Sequence, residues 1–207
     1  MAKKRRRKKS NQQGTATLIF ILALFVIGGG LGARYVMNKV FTPQTTQEQS
    51  STTTLSPQQR RQRAFIKQMA TPAVKAYHET HQVLPSIVIA QAILESNWGQ
   101  SQLYKEAKNP FGMKGSYNGQ TQLFPTKEYE NGKEVTIKDY FRVYPNLKAA
   151  ILDHDLVVYH QFITTRTTNY ATAAKELQTN GYATDPSYAK KLINMIESYR
   201  LARFDSY

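Results

Sequence analysis

The segment at residues 86–99, SIVIAQAILESNWG, constrains the fold of this chain more than any other stretch. Its apolar side chains occur at positions all around the helical turn, and a helix that is apolar on every side belongs in the interior of a domain. Pro85, immediately before it, is a favourable first-turn residue, so we expect the helix to begin there. Such a helix needs other helices packed around it, and the segment therefore predicts a mainly helical domain.

Two polar residues, Gln91 and Glu95, interrupt this segment before the helix ends, and their spacing of four puts them on one helical face. A carboxylate on a buried helix is costly unless it is paired or protonated, and the negative end of the helix dipole also opposes its ionisation. We therefore expect a raised pKa for Glu95, as a general acid in glycoside cleavage requires. The alternative is an ion pair between Glu95 and a Lys or Arg of another helix.

The residues that follow Glu95 are compatible with a carbohydrate site. Gly99 suits the end of the helix, and Trp98 is expected to emerge beside the carboxylate. An indole face offers a flat apolar surface on which a sugar ring can stack. The sequence therefore predicts Gln91 and Trp98 as substrate-binding residues, the alternative for Trp98 being an ordinary core position.

The chain before this domain divides into three segments of different composition. Residues 1–14 are rich in Lys and Arg, residues 15–40 contain an apolar stretch near the lower length limit for crossing a bilayer, and residues 41–56 are mostly Thr, Gln and Ser. We interpret them as a basic cytoplasmic tail, a transmembrane signal-anchor and a flexible linker, followed by a folded domain at 57–207. The basic residues before the span predict a single-pass protein of the cell membrane, with its N-terminus cytoplasmic and its domain extracellular. The alternative is a cleaved signal peptide, which would make the domain secreted.

Charge and cysteine content exclude several classes of function. The formal net charge is +14, but residues 57–207 hold 19 Lys and Arg against 13 Asp and Glu, a net charge of +6. Much of the basicity therefore belongs to the N-terminal segments, and we predict no nucleic-acid partner. The absence of cysteine excludes disulfides and thiolate metal sites. The histidines do not follow metal-site spacing, so we predict no metal and no cofactor.

Apolar periodicity and turn signals predict the remaining elements of the domain. They place a β-hairpin at 121–144 and further helices near 57–81, 102–107, 147–161, 172–179 and 186–200. The predicted fold class is mainly α with a small β-hairpin lobe (α+β), preceded by one transmembrane helix.

The hairpin signal Asn131-Gly132 sets the register of the two strands. It creates three pairs near the tip, Glu130 with Lys133, Tyr129 with Glu134, and Glu128 with Val135. The covered face of the second strand then consists of Val135, Ile137, Asp139, Phe141 and Val143. Paired residues point to the same side of a hairpin, so Glu128 belongs to that face. It is the candidate for a second carboxylate in a cleft, the alternative being an ordinary strand residue.

The C-terminal segment GYATDPSYA carries turn and capping signals. Gly181 suits a turn with positive φ. Asp185 before Pro186 is typical of a helix N-cap followed by proline at the first helical position. We therefore expect Asp185 to cap a helix rather than to take part in catalysis.

Three motifs in order give the domain a family resemblance. They are AQAILESNWGQSQLYKEAKNPFGMKG at 90–115, TKEYENGKEVTIKDYFRVY at 126–144 and NGYATDPSYAKKL at 180–192. Together they resemble the glucosaminidase family of bacterial autolysins and flagellar peptidoglycan hydrolases, which is glycoside hydrolase family 73. The resemblance covers essentially the whole domain. It implies a lysozyme-like helical fold with a small β-lobe, acting on the N-acetylglucosamine–N-acetylmuramic acid polymer.

The resemblance also implies catalytic residues. Glu95 falls on the catalytic acid of the family, Glu128 on its proposed second carboxylate, and Tyr182 on a cleft tyrosine that orients substrate or the reacting water. A buried structural tyrosine is the alternative for Tyr182. As a base acting through water, Glu128 would give inversion of configuration. If the 2-acetamido group of the substrate supplies the nucleophile, Glu128 would only position or stabilise.

Three further residues are expected at the substrate. Asn109 and Phe111 match the NLFG-type turn of the family, with Pro110 in place of the usual Leu. Tyr188, on the last helix, is interpreted as a packing residue or a sugar contact.

The sequence therefore predicts an endo-β-N-acetylglucosaminidase that hydrolyses β-1,4 bonds of peptidoglycan glycan strands, in cell-wall remodelling or daughter-cell separation. The alternatives are a muramidase or lytic transglycosylase on the same frame, and a non-catalytic wall-binding module. Expected partners are peptidoglycan, membrane lipid through the N-terminal helix, and a protein that the sequence does not name. The +6 surface of the domain is a further candidate for targeting, through anionic wall polymers.

Overall fold

The computed structural model describes residues 55–130 and 133–206, and it describes side chains at 55–127 and 135–206. The predicted tail, signal-anchor and nearly all of the linker therefore lie outside the described residues. Within the described ranges, no helix combines the length and the apolar character that crossing a membrane requires. The same ranges are mainly helical with one two-stranded antiparallel sheet, which confirms the predicted class of the folded part.

Helices make up most of the described chain. We number them α1 (Pro57–Thr80), α2 (Pro85–Ser96), α3 (Gln102–Ala107), α4 (Leu147–Gln161), α5 (Tyr170–Thr179) and α6 (Tyr188–Ser198), and a short 3-10 helix follows at Leu201–Phe204. The strands are β1 (Thr121–Glu130) and β2 (Lys133–Arg142). The predicted bounds of α3 and α4 are confirmed, whereas α5 begins two residues earlier than predicted because Asn169 caps it.

The first helix shows how local sequence starts an element. Ser56 accepts a hydrogen bond from the backbone N–H of Gln59 at 3.1 Å, and the Gln59 side chain accepts one from the Ser56 N–H at 2.9 Å. This reciprocal capping box satisfies two donors that a helix start otherwise leaves unpaired. Pro57 fills the first helical position, where its missing N–H costs nothing.

The helix α2 forms the centre of the domain, as its all-round apolar character predicts. Ten of its twelve residues are buried. It packs against α1, α5, α6 and the 3-10 helix. Burial of each of its isoleucines contributes about 1.5–3 kcal/mol to the hydrophobic stabilisation of the fold. The position of Glu95 is therefore set by the most deeply packed element of the molecule.

The chain reverses after α2 through three left-handed residues, Asn97, Trp98 and Gly99, with φ of 48°, 60° and 69°. The reversal begins at Asn97, so the expectation that Gly99 itself ends the helix is wrong. Glycine is required at 99 for a second reason. A Cβ there would lie 2.6 Å from the ring of Phe65 and 2.9 Å from that of Tyr104.

The hairpin has the predicted register, with Glu128 paired to Val135 and Glu130 to Lys133. Its covered face is buried at Thr126 and at the base, where Phe124 and Phe141 form a small cluster with Ala107. Toward the tip the expected cover is incomplete, since Val135 and Ile137 are only half-buried.

The β-lobe is joined to the helical lobe by polar contacts. Arg142 at the end of β2 forms an ion pair with Asp153 of α4, and the Tyr144 hydroxyl donates to the same carboxylate at 2.6 Å. The two lobes thus meet at a half-buried charged cluster.

The start of α6 differs from the prediction. The helix begins at Tyr188 and its N-cap position is Ser187, so Asp185 is not the N-cap. Instead the Asp185 side chain accepts hydrogen bonds from the N–H and the hydroxyl of Ser187, at 2.8 and 2.7 Å, and forms an ion pair with Lys191. A turn closed by the Asp185 side chain takes the place of the predicted N-cap. An Asp side chain commonly accepts a hydrogen bond from the backbone N–H two residues later in the chain, and such a bond closes a turn. The predicted positive φ of Gly181 is confirmed at 80°.

Candidate active site

Glu95 sits in the last turn of α2, and its carboxylate is held by a tyrosine from the other end of the chain. The hydroxyl of Tyr188, in the first turn of α6, donates to Glu95 Oε1 at 2.9 Å. The same hydroxyl accepts a hydrogen bond from Gln91 Nε2 at 3.3 Å. Gln91 and Glu95 therefore share one face, as their spacing predicts, and Tyr188 links them.

This environment lets a large share of the Glu95 carboxyl groups keep their proton up to neutral pH. Burial raises the pKa of Glu95 to about 7, against the opposing effects of the Tyr188 hydrogen bond and the positive charge of Lys191. Removing a carboxylate from water disfavours its charged form, and here that effect exceeds the two stabilising ones. The side chain still keeps partial access to solvent. A protonated acid that a ligand can reach is what proton donation to a leaving group requires.

The hydrogen bonds also distinguish the two carboxyl oxygens. Oε1 is occupied by the donated Tyr188 hydrogen bond, so the acidic proton belongs on Oε2. Tyr188 thereby fixes the orientation in which Glu95 presents its proton.

Tyr182 packs against Tyr188, the partner of Glu95. Its ring stacks on that of Tyr188 with centroids 5.4 Å apart, and only 2% of its surface is exposed. Burial and the nearby charge of Glu95 hold the pKa of Tyr182 well above its usual value, so its hydroxyl stays protonated. Glu95, Tyr182 and Tyr188, which are far apart in sequence, are thus brought into one cluster.

A buried histidine–aspartate pair extends the cluster, and sequence reasoning missed it. The Tyr182 hydroxyl lies 3.5 Å from His154 Nε2, and His154 Nδ1 lies 3.0 Å from Asp155 Oδ1. His154 and Asp155 are at most 1% exposed, and burial raises the pKa of Asp155. The signal was the run Asp153-His154-Asp155 in an otherwise apolar helix, which marks a polar contact but does not say to what.

Phe111 and Asn109 support the cluster from the loop after α3. The Phe111 ring stacks on His154 with centroids 3.8 Å apart. Asn109 closes the turn beneath it, accepting from the Met113 N–H at 3.0 Å and donating to the carbonyls of Met113 and Arg142. Pro110 is accommodated in this loop, as expected for a turn.

Four of the residues expected at the substrate are buried. Gln91, Asn109, Phe111 and Tyr188 have 0–1% exposure, which for Tyr188 agrees with its interpretation as a packing residue. The contacts described above are with other residues of the cluster. Trp98 is partly exposed, and its ring packs against Phe65 and Tyr199, with centroids at 6.4 and 4.8 Å. These contacts favour the core interpretation of Trp98.

For Glu128, the expected second carboxylate, the structure gives only the position of the backbone. The register pairs Glu128 with Val135, and its side chain lies outside the described residues. As for metals, the part of the chain that the structure describes contains no group of three or more His, Asp or Glu that could hold an ion.

Comparison with known proteins gives a family match over the region that contains this cluster. The glucosaminidase family, described as mannosyl-glycoprotein endo-beta-N-acetylglucosaminidase, matches residues 71–201. The exo-glucosaminidase LytG of Bacillus subtilis is 41% identical over 152 residues, 70% of this chain and 54% of LytG. A probable N-acetylmuramidase of Lactococcus lactis subsp. cremoris is also 41% identical, over 69% of this chain and 35% of that protein.

A solved structure agrees with the sequence match. The catalytic domain of the autolysin Auto from Listeria monocytogenes superimposes with a TM-score of 0.64 at 30% identity, covering 87% of this chain and 99% of that domain. The chain spans about half of LytG and about a third of the lactococcal protein. The family profile nevertheless covers well over half of this chain, and the chain therefore belongs to the glucosaminidase family.

Proposed function

We propose that this protein is a glycoside hydrolase that cuts β-1,4 bonds in peptidoglycan glycan strands, with Glu95 as the general acid. The observation that carries the proposal is the Glu95 carboxyl with a pKa of about 7, oriented by the Tyr188 hydroxyl at 2.9 Å. Proton donation from such a group to the glycosidic oxygen makes the departing sugar a neutral alcohol. Family membership and the named activities of its relatives support this substrate class.

The roles of the other residues follow from their distance to Glu95. Tyr188 and Gln91 orient the acid, and Tyr182 supports Tyr188 through its stacked ring. Glu128 is proposed as the second carboxylate, on the strength of its register on the covered face of the hairpin. It would act as base toward water or stabilise a reaction in which the 2-acetamido group of the substrate attacks.

We assign the cut to the N-acetylglucosamine side, as an endo-acting β-N-acetylglucosaminidase. The muramidase alternative is kept because relatives of equal identity carry both names, exo-glucosaminidase and probable N-acetylmuramidase. The products separate these cases. A reducing N-acetylglucosamine end supports the assignment, a reducing N-acetylmuramic acid end indicates a muramidase, and an anhydro end indicates a lytic transglycosylase.

The test of the acid is Glu95→Gln, which keeps the shape of the side chain but cannot donate a carboxyl proton. We expect the variant to release no new reducing ends from purified peptidoglycan, a loss of at least about 10²-fold. Glu197→Gln is the matched control, since Glu197 is an exposed carboxylate of α6 and should leave activity unchanged. Undiminished activity of Glu95→Gln would show that another group is the acid.

We also propose that residues 15–40 anchor the protein in the cell membrane and that the domain at 57–207 acts on its outer face. The support is the sequence pattern of a basic segment followed by an apolar stretch. Fractionation of cells that produce the full-length chain, with protease added outside, tests both points. Release of a shorter form into the medium would indicate cleavage instead.

A further inference from the structure

A groove of about 700 Å³ lies between α1 and the C-terminal end of the domain. Four of its lining residues are cations, Arg63 and Lys67 from α1, and Arg200 and Arg203 from the C-terminal segment. The lining residues, all within the described ranges, include no carboxylate. Positive charge from two ends of the domain therefore converges on one concave surface, which we call the basic groove.

One cation of the basic groove is held in place before any ligand arrives. The Arg203 guanidinium donates to the carbonyls of Tyr199 and Arg200 at 3.1 and 3.2 Å, and it lies 4.6 Å from the centre of the Phe204 ring. A guanidinium that is already held loses less side-chain freedom on binding. Its remaining N–H groups suit the oxygens of a phosphate.

The helix α1 carries a row of exposed cations. Arg60, Arg63 and Lys67 follow at spacings of three and four, so they lie on one face. Arg60, in the first turn, donates to the carbonyl of Leu55 at 2.7 Å. Arg63 and Lys67 lie beyond that turn and line the basic groove. The first acid of the helix is Glu79, so no carboxylate of α1 lies near these two cations.

From this geometry we propose that the basic groove binds an anionic polymer chain with phosphate groups along its backbone. Arg63 and Lys67 line one side of the groove, and Arg200 and Arg203 line the other; we call these two sides its banks. The lining also includes the buried apolar residues Ile66 and Ala70. A chain can enter such a concave site, whereas the flat surface of a bilayer meets convex surfaces more readily. Tyr199, which lines the basic groove, contacts Trp98, and Trp98 follows Glu95 by three residues in the sequence.

Titration of the full-length chain with poly(glycerol phosphate) tests the proposal. The variant Arg63→Gln/Lys67→Gln removes one bank, and we expect it to bind about tenfold more weakly. The matched control is Lys75→Gln/Lys190→Gln, which removes two exposed lysines outside the basic groove and should bind as the unchanged protein does. Equal weakening by both pairs would mean attraction by overall charge and would overturn the proposal.

Two further measurements separate the alternatives. Arg200→Gln/Arg203→Gln removes the opposite bank and should weaken polymer binding as well, and full binding by both bank variants would exclude the basic groove. The soluble headgroup of phosphatidylglycerol, glycerophosphoglycerol, is the competing probe, because the proposed anchor at 15–40 would hold the full-length chain on any vesicle. If the bank variants lose headgroup binding but keep polymer binding, the groove serves the membrane and the proposal is wrong.

The proposal is independent of the proposed activity. Glu95→Gln should still bind the polymer, and Arg63→Gln/Lys67→Gln should still hydrolyse glycan strands that carry no anionic polymer. Failure of one assignment is therefore distinguishable from failure of the other.

Discussion

Replacement of Glu95 by Gln should stabilise the fold at alkaline pH while it removes activity. The pKa of Glu95 is raised from 4.5 to about 7. The protonated carboxyl is thus favoured by folding, and the stability that it contributes is complete below about 4.5 and lost as the pH rises through 7. Gln does not ionise, so the variant avoids this loss.

The magnitude follows from the size of the shift. At about 1.36 kcal/mol per pKa unit, the difference between 4.5 and about 7 corresponds to about 3.4 kcal/mol when the carboxyl is fully ionised. The side chain keeps partial access to solvent, which screens part of this cost. We therefore expect Glu95→Gln to be more stable than the unchanged protein by about 2 kcal/mol at pH 8, and nearly equal to it at pH 4.

Urea unfolding at pH 4, 6 and 8 measures this difference, with Glu197→Gln as the control for the loss of one carboxylate. Glu197 is exposed, so its variant should show no such trend with pH. A stability gain of Glu95→Gln that is the same at all three pH values, or absent at pH 8, would refute the reasoning that burial raises the pKa.

Two further substitutions test the surroundings of the acid. In Tyr188→Phe the carboxylate of Glu95 loses its donor, so the alkaline limb of kcat should move up by about one pH unit. Tyr77→Phe, at a half-buried tyrosine of α1 whose ring packs against His81, is the control, and an unmoved limb in Tyr188→Phe would contradict the assignment. In Gly99→Ala the new Cβ would lie 2.6 Å from the Phe65 ring, at a residue with left-handed backbone. Urea unfolding should therefore show a free energy of unfolding lower by about 2 kcal/mol or more. An unchanged free energy of unfolding would mean that the ring moves aside freely.

Features set by local sequence were predicted well. The apolar circumference of 86–94 placed α2 in the interior, and Asn131-Gly132 set a register that the structure confirms pair by pair. Both depend on residues that are close together in the chain, where helical period and turn geometry leave few alternatives.

Features set by long-range packing were not predictable. The spacing of Gln91 and Glu95 indicated a shared face, but nothing local identified Tyr188, 93 residues beyond Glu95, as their common partner. Asp185 is a second feature that the sequence did not decide. The sequence was compatible both with an N-cap and with a turn closed by the Asp185 side chain, and the ion pair with Lys191 stabilises the closed turn.

The site also differs in its depth from the sequence-based expectation. Phe111, which was expected at the sugar, is buried and stacks on His154, whose Nε2 lies 3.5 Å from the Tyr182 hydroxyl. A sequence motif records which residues a site needs, but it does not separate those that contact the substrate from those that hold the contacting ones in place.

The small cluster beneath the hairpin has a consequence for how activity fails. Phe124, Phe141 and Ala107 are packed apart from the main core, and charged contacts at Arg142 join the two parts. Such a unit can open on its own, at a lower free energy than unfolding of the whole molecule. Amide hydrogens of β1 and β2 should then exchange before those of α2. Mild heat or denaturant would displace the strand that carries Glu128 while the helix that carries Glu95 stays folded. With Glu128 in its proposed role as the second carboxylate, we expect activity to be lost at a lower temperature than the melting of the whole domain.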